Sequence, residues 1–145
     1  MKVYRFSLEI VMRIRVIEER LAREKLVSAQ HDLRRARDAY VAAETAIATL
    51  ATPTGPTTVG EIRWIGEQAD RLADEVRVRR QVVVAAASSR DEARDSWHTA
   101  RKNLGTLERL DAHGLARWKN EAAHEEVAEL DDLANTRHGS QGARI

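Results

Sequence analysis

The side chains able to do chemistry are few, and their spacing works against a reaction centre. The histidines are His31, His98, His113, His124 and His138, and the chain has no cysteine. That removes thiolate catalysis, disulfides and cysteine-type zinc sites together. Two carboxylate-x-x-His patterns occur, Asp95 to His98 and Glu121 to His124. In a helical bundle that spacing can hold a di-metal centre, but only where two motifs converge with further carboxylates from facing helices. Here both fall on one predicted helix, several turns apart, where they cannot share a metal. Acid pairs such as Glu18–Glu19 and Glu125–Glu126 are sequence neighbours, which do not face each other on a helix. There is no glycine-rich phosphate loop and no nucleophile elbow. The expectation is a protein that is not an enzyme, with no cofactor and no metal.

What the residues do specify is a pair of helices. Charged residues make up 32% of the chain and aromatics 4%, a balance typical of long helices and coiled coils rather than of a wide core. The net charge of +1 argues against a nucleic-acid binder, which usually carries a one-signed field. No uncharged apolar run is long enough for a membrane span, so the expected location is cytoplasmic. Both prolines, Pro53 and Pro56, fall in the stretch ATPTGPTTVG, which no helix can cross. Thr58 and Glu61 then read as a capping box that restarts a helix.

Apolar residues recur at alternating steps of four and three on both sides of this break. The first row is Ala29, Leu33, Ala36, Tyr40, Ala43, Ile47 and Leu50. The second runs from Ile62, Ile65, Ala69, Leu72 and Val76 to Trp97, Ala100, Leu104 and Leu107, with Arg79 and Arg90 as its polar members. This is a sustained heptad seam. Leu50 with Ile62, Ile47 with Ile65, Ala43 with Ala69 and Ala29 with Val83 are each centred on Pro56, as an antiparallel hairpin requires. The expected fold is all-α: a long antiparallel two-helix coiled-coil hairpin with unequal arms. It has a helix over about 7–51, a turn over 52–60, a helix over about 61–135, and a frayed tail over 136–145.

Before residue 26 the phase is open. One row is Leu8, Met12, Arg15, Glu19, Ala22 and Leu26; the other is Ile10, Ile14, Ile17 and Leu21. The second is more apolar. It needs a stutter near Lys25 and would place Trp97 near Ile14, and it is the favoured reading. Mirror pairing gives residues beyond about Glu108 no partner on the first arm. Leu110, Leu115, Trp118, Val127, Leu130 and Leu133 would then stand on a single helix, among the acids Glu121, Glu125, Glu126, Glu129, Asp131 and Asp132. An unpaired apolar stripe asks for an external partner. Trp64, off the seam near the turn, and Trp118 are candidate contact residues.

Four segments carry a resemblance to a known family. They are the opening YRFSLEIVMRIRVIEERLAREKLVSAQHDL, the element Arg63-Trp64-Ile65, the patch Leu107-Glu108-Arg109-Leu110, and the acidic ending Glu126 to Ala134. In order and spacing they resemble the flagellar export protein FliJ and the related stalk proteins of type III secretion. The resemblance implies a hairpin shaped like the coiled coil of a rotary-ATPase gamma subunit. The end bearing both termini would enter the ring of the export ATPase (FliI-like) and promote its assembly. The stalk would also reach the export gate protein (FlhA-like) and escort export chaperones, meeting the inner membrane only through partners.

Tyr4, Phe6, Arg13, Arg15, Leu110, Trp118, Leu130 and Leu133 are the candidate contacts for the ATPase, and Tyr40 and Trp64 those for the gate. Two other classes remain open. A generic coiled-coil adaptor or holdase chaperone would bind many unfolded clients without stimulating an ATPase. A nucleic-acid-binding helical arm would show salt-sensitive RNA binding, against which the charge balance weighs.

Overall fold

The computed structural model describes residues 3–50 and 52–141, with side chains described as far as residue 136. Two helices, α1 (Glu9–Ala48) and α2 (Val59–Gln141), pack against each other as a helical hairpin, and the described residues contain no strand. Their ends follow from local chemistry. At the start of α1 the Glu9 amide donates to the Phe6 carbonyl at 3.2 Å, and Glu9 places a negative charge in the first turn, where the helix dipole favours it. Near its end the Thr49 hydroxyl donates to the Thr45 carbonyl at 2.8 Å, and the Leu50 amide donates to Ile47 at 3.1 Å. The capping box forms reciprocally: the Glu61 amide donates to Thr58 Oγ1 at 3.3 Å, and the Thr58 amide donates to Glu61 Oε2 at 2.8 Å. Helix α2 continues past Thr136 to Gln141, where the sequence suggests a frayed tail; residues 142–145 of that tail lie outside the described residues.

The chain divides into two compact units, Glu18–Ala100 and Met1–Ile17 with Arg101–Ile145. In the first, the seam follows the four–three alternation. Leu26, Leu33 and Ala43 are buried, and Ala22, Ala29, Ala36 and Tyr40 are half-buried between them. Facing positions Ile65, Ala69, Leu72, Val76, Val83, Ala86, Ala93, Trp97 and Ala100 are half-buried too. Of the two arginines in the row, Arg90 is half-buried with its Nε 2.8 Å from Asp91, while Arg79 stays exposed, 3.5 Å from Glu75. Beside the turn the seam opens: Ile47 and Ile62 are both exposed. Among the described residues no large side chain is completely buried, as a two-helix seam dictates.

The N-terminal phase corrects the favoured reading. Ile10, Ile14, Ile17 and Leu21 are 74%, 50%, 48% and 49% exposed. The inward row is the unstuttered one, with Met12 and Arg15 half-buried and Glu19 only 5% exposed. A carboxylate can occupy a seam position only if partners replace its water. Trp97 supplies one, its indole Nε1 donating to Glu19 Oε1 at 2.9 Å, and Arg23 Nη2 lies 2.7 Å from the same oxygen. Trp97, expected near Ile14, therefore meets Glu19. Continuous heptad geometry prevails over the more apolar row because the polar residue it places inside is satisfied.

The second unit corrects the extent of pairing. The row on α2 continues through Leu104, which is buried, and Leu107, Asp111, Gly114 and Trp118, which are half-buried. Residues from Asp111 to Trp118 do have a partner: the non-helical segment ahead of α1, which lays Tyr4 across Asp111, Gly114 and Trp118. From Lys119 to Thr136 every described residue is exposed.

Candidate partner-binding surfaces

Tyr4 organises the surface at the termini. Its hydroxyl lies 3.0 Å from Asp111 Oδ1 and 3.1 Å from the Asp111 carbonyl, and it donates to this pair of acceptors. Its ring sits 6.2 Å from that of Trp118, tilted by 51°. Partial desolvation first, and the Asp111 carboxylate second, raise the Tyr4 pKa, which keeps the hydroxyl a donor.

This approach depends on the residue at 114. A Cβ added to Gly114 would lie 2.5 Å from the Tyr4 hydroxyl oxygen and 3.4 Å from Cζ. Alanine would favour the helix by about 1 kcal/mol but would push Tyr4 aside. Gly114→Ala is therefore expected to stabilise the chain in a Tyr4→Ala background and to gain nothing in wild type. Thermal melts of the two pairs check this, and a red shift of tryptophan emission would report the loosened Trp118.

Beside Tyr4 runs an open groove lined by Phe6, Leu8, Leu110, His113, Arg117 and Trp118. Phe6 is half-buried and Leu110 is 49% exposed, so the groove offers apolar surface within reach of cationic side chains. Arg13, on the first turns of α1, is paired with Glu9, and Arg15 is half-buried. Leu130 and Leu133, further along α2, are 61% and 62% exposed and do not join the groove. Of the sequence candidates in this unit, the structure thus gathers Tyr4, Phe6, Leu110 and Trp118. Sequence reasoning missed Asp111 and Gly114, although both continue the four–three steps from Leu104 and Leu107.

The other two candidates belong to the unit holding the turn. Tyr40 donates its hydroxyl to Glu44, a bond that, with a smaller desolvation effect, raises its pKa. Trp64 is 58% exposed, in the second turn of α2. Of the carboxylate-x-x-His pairs, His98 lies against the Trp97 ring at 4.9 Å between centroids. Among the described residues no three of His, Asp or Glu gather as metal ligands, and no helix is long and apolar enough to cross a membrane.

Comparison with curated proteins and with solved structures gives no match. Comparison with protein families does: the family described as flagellar FliJ protein matches residues 4–143. With that match covering nearly the whole of a helical hairpin, the chain belongs to the flagellar FliJ family.

Proposed function

We propose that this chain, a component of flagellar protein export by its family, is a cytoplasmic stalk that binds the export ATPase through the surfaces carrying its termini. The observation that carries the reading is the bare length of α2 after Trp118. Val127, Leu130 and Leu133 are 57% or more exposed there, among six acids and no Lys or Arg between Glu121 and Thr136. Burying such side chains in a partner contributes about 1.5–3 kcal/mol each. The groove of Phe6, Leu110 and Trp118, fixed by Tyr4, is a second apolar contact in the same unit. Arg13 and Arg15 steer the approach more than they add affinity. Trp64 and Tyr40, in the unit holding the turn, serve the export gate, and export chaperones are escorted by the same stalk.

The test is ATP turnover by the cognate export ATPase with added wild-type chain or a chain ending at Asn120. That boundary spares Trp118, which packs on Tyr4. The truncation is expected to need about 10- to 100-fold more protein for the same stimulation, with unchanged helicity per residue by circular dichroism. Equal stimulation by both chains would remove the bare helix from the ATPase contact. Trp64→Ala is expected to leave stimulation intact and to weaken capture of the export gate.

A further inference from the structure

Two apolar rows of the unit holding the termini find no cover within that unit, and they match each other. On α1, Ile10, Ile14 and Ile17 step by four and three, off the seam and exposed. On α2, Ala123, Val127 and Leu130 step by the same four and three, followed by Leu133, all exposed. Their surroundings are opposite in charge. Residues 3–17 hold three arginines and one glutamate, whereas 121–136 hold six acids and no Lys or Arg. Equal spacing lets two rows interlock as a heptad seam, and opposite flanking charge favours that pairing.

One chain cannot make this contact with itself. Helix α2 is unbroken to Gln141, so its last turns cannot fold back, and the isoleucine row lies off the face that α1 turns to the seam. We infer that the occupant of each row is a second copy of this chain: the bare acidic helix of one copy lies on the isoleucine row of the other, and the contact is made twice about a two-fold axis. A reciprocal contact of this kind closes on itself and stops at a dimer.

The same length of α2 is the ATPase contact proposed above, so the dimer is the state of the free chain and gives way when the ATPase binds. Sedimentation equilibrium on the full chain without any ATPase tests it, and its failure leaves the ATPase reading standing. Wild type is expected to approach twice the chain mass as concentration rises. Ile14→Asp or Leu130→Asp alone is expected to weaken association by on the order of 100-fold, with unchanged circular dichroism because both side chains are exposed. Mixing the two variants gives the distinguishing result. In the mixed pair one contact carries both substitutions and the other carries none, so dimer returns in part. A wild-type chain that stays monomeric, a variant that still dimerises as wild type does, or no recovery on mixing would each overturn the inference.

Discussion

Trp97→Phe is expected to destabilise the chain by about 2 kcal/mol in urea unfolding followed by circular dichroism, through one lost hydrogen bond to a buried charge. The indole is the donor that reaches Glu19 across the seam, and Glu19 is among the least exposed of the described residues. Without it the carboxylate keeps Arg23, whose own side chain is 61% exposed and whose hold is correspondingly screened. In a Glu19→Leu background the same substitution is expected to cost less than about 0.5 kcal/mol beyond the change in ring size, since no buried charge remains to be satisfied. Glu19→Leu alone leaves the Trp97 indole N–H without its acceptor, which offsets the gain from an apolar seam residue, so little net change in stability is expected. If Trp97→Phe had the same effect in both backgrounds, the two side chains would be independent.

Leu33→Ala and Ile14→Ala should differ most among the aliphatic truncations. Leu33 is 3% exposed and its loss is expected to cost about 2–4 kcal/mol, the range for a buried leucine. Ile14 is half exposed in the single chain, and at concentrations low enough to keep the chain monomeric its loss is expected to cost about 0.5 kcal/mol or less. Under the stuttered phase Ile14 would be a seam residue and its cost would approach that of Leu33, so the ratio of the two effects, read from melts at matched concentration, measures which row faces inward.

These two experiments mark where the sequence was legible and where it was not. The turn was legible because proline removes a donor and Thr58 with Glu61 can act only on amides close by, so both signals are local. The seam from Ala29 to Ala43 was legible because every member is apolar and the steps do not falter; that it opens at Ile47 beside the turn was not. Before Leu26 legibility failed: two rows compete there, and the one that faces inward holds Arg15 and Glu19. What decides between them is a tryptophan 78 residues away. The surface at the termini divides the same way. Leu130 and Leu133 announced themselves as apolar residues among acids, and they are exposed. The cover that Tyr4 gives to Gly114 and Trp118 did not, because a glycine in a helix does not say which side chain needs the room it leaves.

The hydrogen bonds described above also differ in how much chain each must close. Thr58 and Glu61 are 3 residues apart, Glu19 and Trp97 are 78, and Tyr4 and Asp111 are 107. Closure entropy rises with that separation, though slowly. Pairing should therefore start beside the turn and travel outward, each formed layer shortening the loop that the next must close. Synthesis imposes the same order. Tyr4 leaves the ribosome more than a hundred residues ahead of its acceptor. Until then the first arm is a helix without its counterpart, with both the isoleucine row and the future seam in water. The nascent chain is thus most exposed to mispairing just before α2 emerges, and the contacts around Tyr4 are the last to be satisfied.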